Sequence, residues 1–185
     1  GLDPAQVSGA LEGEATIGLR LVPQMTPADV RVGVNAGLRN LSVDKAFGKE
    51  KLENGNLQLT FDRETLLVKG EARLFAQPAT VEIRGGGKAP VQASVVMTLD
   101  DAARARRGID TGSAISGPVG VKITAGLDGN DKDIDLDLDL TRVAIQEAVP
   151  GLSKRAGAPA RARARARQEA GGWVLDRLEV ESGTF

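Results

Sequence analysis

The stretch from Asn56 to Arg84, NLQLTFDRETLLVKGEARLFAQPATVEIR, decides the fold class. Leu57, Leu59 and Phe61 alternate with Gln58, Thr60 and Asp62. After Asp62-Arg63-Glu64, the set Leu66, Val68, Gly70, Ala72 and Leu74 alternates with Leu67, Lys69, Glu71 and Arg73. Period 2 is the mark of a half-buried strand. A third run, Ala79, Val81 and Ile83 against Thr80, Glu82 and Arg84, follows a break at Gln77-Pro78, where proline removes a ladder donor. Connections this short allow only an antiparallel meander, apolar on one face and charged on the other.

The same grammar extends in both directions. Toward the N-terminus, Val7 to Leu21 alternates as one long strand, ended by Pro23-Gln24-Met25-Thr26-Pro27. Val30, Val32, Val34, Ala36 and Leu38 form the next, and the phase slips at Asn40, as a bulge or a strand end requires. Asp44 to Glu53 is polar around Phe47, with room for one helical turn before Asn54-Gly55 turns the chain. Toward the C-terminus, Gly85-Gly86-Gly87-Lys88 lacks the strand-loop-helix context of a phosphate cradle and reads as a hairpin loop. Val91, Ala93, Val95, Met97 and Leu99 resume a strand. Asp100-Asp101 then opens an alanine-rich helix that Gly108 stops.

Two further runs carry opposite charge. Ile134, Leu136, Leu138 and Leu140 alternate with Asp133, Asp135, Asp137 and Asp139, after a turn at Asp128-Gly129-Asn130 and an outgoing strand of Val119, Val121, Ile123, Ala125 and Leu127. The glycine and distant glutamate of a helix-loop-helix calcium site are missing, so the aspartates read as a solvated strand face. Ala160, Ala162, Ala164 and Ala166 alternate with Arg161, Arg163, Arg165 and Arg167. A helix would scatter these arginines, whereas a strand gathers them. The arginine strand is therefore expected beside the aspartate strand, each row neutralising the other. A last strand spans Trp173 to Val180, with Val174, Leu178 and Val180 inward.

Composition narrows the function. The chain has 185 residues, net charge -1, no cysteine and no histidine. Disulfides, thiolate metal sites and the commonest general base are all absent, so neither an enzyme nor a metal or cofactor site is expected. Interspersed charge, and a basic run without aromatics for stacking, argue against nucleic acid. A hydrolase would need a serine beside a lysine or carboxylate base, and no motif places one. Aromatics make up 3%, too few for the girdles of a membrane barrel, and no apolar run of about 18 residues exists to span a bilayer as a helix. The fold class expected is mainly β: a long antiparallel, strongly curved sheet, an open β-groove or half-barrel, with one to three short helices. Residues 1–185 are expected to form a single segment of a longer protein, with sub-blocks 1–55, 56–110 and 111–185. Its apolar face is either sealed as a sandwich or barrel core, or left as a gutter that a ligand fills. The pattern alone favours an ordinary core, and long strands with small inward Ala and Gly lean the other way, toward the gutter.

Five blocks carry a resemblance. They are LVKGEARLFAQPATVEIR (67–84), LDDAARARRGID (99–110), ISGPVGVKI (115–123), DLDLDLTRVAI (135–145) and AGAPARARARA (156–166). In this order they resemble the AsmA-like family, and in particular its YhdP-type branch of large envelope proteins of Gram-negative bacteria. The resemblance implies a segment of a periplasmic β-groove, anchored to the inner membrane by a helix outside this chain, that carries phospholipid toward the outer membrane. The implied partners are phospholipid acyl chains, flanking repeats of the same protein, and the two membranes at its ends. The lining residues are then the inward members of each run: Leu57, Leu59, Phe61, Val68, Leu74, Val81, Ile83, Val95, Met97, Val121, Ile123, Ile134, Leu136 and Leu138. A sealed β-sandwich that spaces or docks envelope proteins is the alternative.

Overall fold

The computed structural model describes residues 4–26, 29–47, 50–109, 112–127, 133–149, 152–169 and 172–183. After a short 3-10 turn at Pro4–Gln6, the strands are β1 (Val7–Leu19), β2 (Val30–Phe47), β3 (Glu50–Asp62), β4 (Thr65–Leu74), β5 (Gln77–Gly86), β6 (Ala89–Leu99), β7 (Ile115–Ser116), β8 (Val119–Gly126), β9 (Asp133–Asp139), β10 (Ala144–Val149), β11 (Leu152–Lys154), β12 (Ala160–Glu169) and β13 (Gly172–Ser182). One helix, α1 (Asp101–Ala105), follows β6. Ten strands form an antiparallel sheet in the order β1-β2-β3-β4-β5-β6-β8-β9-β12-β13, which does not close into a barrel. A second, three-stranded sheet has the order β11-β10-β7. The mainly β, open antiparallel sheet is the one the alternation requires. The chain divides into two compact units, Gly1–Phe75 with Thr80–Ala93, and Ala76–Ala79 with Ser94–Phe185.

In the first unit, aliphatic side chains meet in rows across four strands. Ala15, Val34, Phe61 and Leu66 form one row; Gly13, Ala36, Leu59 and Val68 the next; Leu11, Leu38, Leu57 and Gly70 a third; Val7, Val43, Leu52 and Leu74 a fourth. A one-residue slip would send a whole set to the other face, so burial fixes the pairing. The phase slip at Asn40 is a bulge and not a strand end: β2 continues to Phe47, with Asn40 at φ 51° and register shifts against β3 on either side of Leu41.

The helical turn expected in 44–53 and the turn at Asn54-Gly55 are overturned. β2 and β3 fill that stretch, linked through residues 48–49, which lie outside the described set. Asn54 does take φ 51°, but it spends that conformation on a bulge against β4, and Gly55 is buried opposite Leu41. Because the bulge carries the Asn56 carbonyl over Gly70, a Cβ at Gly70 would lie 2.0 Å from that oxygen. The β4–β5 connection also moves. Phe75 and Ala76, at φ 56° and 58°, make a two-residue primed turn, and Pro78 sits inside β5 and not at the break. The glycine run 85–88 is a tight turn at Gly87-Lys88, with Gly85 and Gly86 still in β5.

In the second unit, α1 is capped as its sequence requires, Asp100 Oδ1 accepting from the Ala103 backbone N–H at 2.7 Å. Arg104 is 7% exposed and pins the helix to the β7–β8 junction. Its guanidinium donates to the carbonyls of Gly117 at 2.7 Å and Leu99 at 3.2 Å, and it pairs with Asp101. Asp101 Oδ1 in turn accepts from Gly117 N–H at 2.9 Å. Gly117, at φ 101°, comes so close to the Arg142 carbonyl that a Cβ would lie 2.5 Å from it. The small sheet was not anticipated from the sequence. Lys154 holds it to the end of β9: its buried ammonium donates to the carbonyls of Val143 at 2.7 Å, Leu140 at 2.8 Å, Thr141 at 3.2 Å and Arg155 at 3.3 Å. Residues 128–130, the expected hairpin turn before β9, lie outside the described set.

Candidate functional site

The candidate surface is the apolar face of the sheet, described unit by unit. Of the fourteen residues singled out above, Leu57, Val68, Leu74, Val81, Met97, Val121, Ile123 and Ile134 are less than a tenth exposed. Leu59, Phe61, Ile83, Val95, Leu136 and Leu138 are half-buried. None is exposed. In the first unit Leu57, Leu59, Phe61, Val68 and Leu74 belong to the rows just given and share one face of the sheet.

In the second unit Val121, Ile123 and Ala125 of β8 face Leu138, Leu136 and Ile134 of β9, which face Ala162, Ala164 and Ala166 of β12. The rows continue onto β13 as Val180, Leu178 and Leu175. Val174 was expected to share that face. A bulge at Asp176 shifts the phase, so that Leu175 stands opposite Ala166 and Val174 opposite Arg167 on the charged side.

Burial falls off toward the outer strands. Along the row of Leu57, 5% exposed, the β1 member Leu11 is 67% exposed; beside it Ile17 is 67% and Leu19 56%. β1 is exposed over its whole length. On β13, Leu175, Leu178 and Val180 are all more than half exposed. Sequence reasoning left these six out of the lining set, although on β1 the alternation is as regular as on the inner strands and on β13 it is broken only at Asp176. Periodicity gives the face a residue occupies; strand order decides whether a neighbour covers it.

The opposite face of the second unit carries the charge ladder. Asp139, Asp137, Asp135 and Asp133 stand directly across from Arg161, Arg163, Arg165 and Arg167, as expected. Alternate arginines turn opposite ways. Arg161 engages Asp137 with two hydrogen bonds, and Arg165 engages Asp135 at 3.0 and 3.2 Å, while Arg163 reaches Glu181 of β13 at 3.4 Å and Arg167 reaches Asp176 at 3.2 Å. The Arg161 hydrogen bond holds the Asp137 carboxyl below the usual carboxylate range, and bonds from Thr141 do the same for Asp139. A shallow depression of about 410 Å³ on this face is lined by Lys122, Asp135, Asp137, Arg163, Arg165 and Arg177, whose acids are already paired with arginines. Among the described residues no group of three or more carboxylates is placed to hold a metal ion, and no helix is long and apolar enough to cross a membrane. Among the described residues, each unit offers a face of hydrocarbon, and the second unit an opposite face of largely paired charge.

Comparison with protein-family models, with characterised proteins and with solved structures finds no match to the chain.

Proposed function

We propose that this chain is a lipid-binding segment of a periplasmic protein of the AsmA-like kind, anchored to the inner membrane outside this chain, which passes phospholipid toward the outer membrane along the apolar face of its sheet. The observation that carries the reading is the set Leu11, Ile17, Leu19, Leu175, Leu178 and Val180. Leu11, Leu175, Leu178 and Val180 continue the rows of their own units and Ile17 and Leu19 face Val32 and Val30 of β2, yet all six are more than half exposed, in a sheet that does not close. An acyl chain laid across such rows gains roughly 0.8 kcal/mol per buried methylene, and its headgroup stays in water because burying an unpaired charge is costly. Rows of similar aliphatic residues bind every position about equally, which suits movement along the sheet better than retention. No catalytic role is assigned; the sequence resemblance supplies the lipid class and the envelope location.

The test is photo-crosslinking in cells of the full-length protein, with the reactive residue at Ile17, Leu136 or Leu178 and, on the opposite face, at Thr16, Asp137 or Glu179. Phospholipid adducts confined to the first three are the expected result. Adducts at none of the six, with normal protein levels, overturn the proposal. The burial of eight of the fourteen lining candidates favours a second reading, a structural module of the envelope whose inner rows are core only. That reading gains if adducts are absent and Leu178→Ser leaves envelope lipid balance unchanged.

A further inference from the structure

Asp139 stands across from Gly120 and from Arg161, so β9 ends where β8 and β12 begin, at one end of the second unit's strands. The connections gathered there carry three exposed guanidiniums. Arg106 follows α1, Arg142 lies in the turn between β9 and β10, and Arg155 follows β11. The buried cations tie these connections together. Arg104 of α1 donates to the Gly117 carbonyl, Gly117 lies against the Arg142 carbonyl, and Lys154 donates to the carbonyls of Thr141 and Arg155.

The arginines of the second unit divide by partner. Arg161, Arg163, Arg165, Arg167 and Arg177 on the strands each hold a carboxylate, as does Arg104. Arg106, Arg142 and Arg155 hold none among the described residues, and the Arg142 guanidinium donates to the Thr98 hydroxyl at 3.5 Å. The carboxylates described at this end are engaged elsewhere. Asp100 caps α1, and Asp101 serves Arg104 and the Gly117 N–H. Asp139, which feels Arg142 only through space, accepts from the Thr141 N–H at 2.9 Å, and Glu181 accepts from Arg163 at 3.4 Å. The whole chain has a net charge of -1, so the excess of free cations is local.

We infer that this end of the second unit is a docking surface whose occupant is an anionic lipid bilayer. A guanidinium grips a phosphate through two parallel hydrogen bonds. Three of them on separate turns suit a surface that bears many phosphates, where a single phosphate ion would need them convergent. Ile109, 55% exposed just past Arg106, adds an apolar side chain to sink among headgroups. No aromatic occurs between Phe75 and Trp173, so the bases of a nucleic acid have nothing here to stack on.

The test is flotation of the 185-residue chain with vesicles of phosphatidylcholine, alone or mixed with phosphatidylglycerol, at low and high salt. Binding to the mixed vesicles only, lost in high salt, is expected. Arg106→Gln, Arg142→Gln and Arg155→Gln each weaken it by roughly fivefold, and the triple variant by about a hundredfold. Arg165→Gln removes the same charge from a closed ladder pair and leaves binding unchanged, with circular dichroism showing that all the variants keep the fold. Failure to bind the mixed vesicles overturns the inference, as does binding that the triple variant retains or that phosphatidylcholine alone supports equally. Release by millimolar inorganic phosphate also overturns it, by marking an ion site in place of a bilayer surface. The inference rests on charge and not on the apolar face: a chain that crosslinks phospholipid at Ile17, Leu136 or Leu178 yet floats with no vesicle sinks it and leaves the proposed function standing.

Discussion

The two compact units hold neighbouring strands in register by different chemistry. In the first, aliphatic rows do the pairing, and the ladder tolerates register shifts between β1 and β2, at three places between β2 and β3, and between β3 and β4. In the second, β8, β9 and β12 pair without a shift, each aspartate of β9 meeting one arginine of β12. An apolar side chain needs only the right face, so a bulge that restores the face costs little. A charge needs a particular partner: Arg161 and Arg165 engage aspartates of β9, and Arg163 and Arg167 turn to acids of β13. Among the described residues, the second unit also buries two cations among carbonyls, Arg104 and Lys154, where the first buries only aliphatics and a glycine.

Breaking the buried cation is the largest expected effect. Lys154→Met removes an ammonium shared by four carbonyls; Leu140, Thr141 and Arg155 keep a backbone N–H, from Val143, Gly157 and Ala158, while the Val143 oxygen loses the lysine donor, a loss of about 2–4 kcal/mol. Urea unfolding gives the magnitude, and hydrogen exchange should show lost protection concentrated in residues 140–155. Uniform loss across the chain would mean that the lysine is not the local tie its geometry indicates.

The counterpart in the first unit is Leu74→Ala. Leu74 is 2% exposed and stands opposite Leu52, and truncation should cost about 3 kcal/mol through lost transfer energy and the cavity left behind. The comparison sharpens with salt: the cost should be the same at low and high ionic strength, since no charge is involved. A strong salt dependence would show that charge as well as hydrocarbon sets the register there.

Much of this fold is written in the alternation, and the failures share a cause. The meander, the long first strand, the helix at Asp101 and the pairing of the aspartate and arginine rows all follow from period and charge, which are local or nearly so. Asn54-Gly55 misleads because a turn and a bulge call for the same positive φ, and only the partner strand decides between them. Val174 misleads because one extra residue at Asp176 inverts the faces; the only local mark of it is that Asp176 falls in phase with Val174, Leu178 and Val180. Lys154 gave no signal at all: a lysine between Ser153 and Arg155 reads as solvent-exposed, and its four acceptors come from backbone that composition does not mark. The candidate surface was legible in its inner rows and not at its edges, since exposure depends on which strands lie outermost.

The smallest effect tests the ladder itself. Arg165 and Asp135 are both more than half exposed, so a double-mutant cycle between them should give a coupling of only about 0.2–1 kcal/mol, smaller still in high salt. Acid gives the sharper reading at Asp137, whose carboxyl the Arg161 hydrogen bond holds below its ordinary range. A carboxyl with a lowered folded pKa adds stability above its unfolded pKa, near 3.9, and that contribution is lost as pH falls through the folded value. Asp137→Asn should therefore be less stable than wild type at pH 7, with the gap closing as the pH drops well below 4 and the native carboxyl takes up its proton. A gap of the same size at pH 7 and pH 2 would mean that the side chain acts by shape and hydrogen bonding alone. The contrast between a register set by hydrocarbon and one set by charge would then rest on the remaining aspartates of β9.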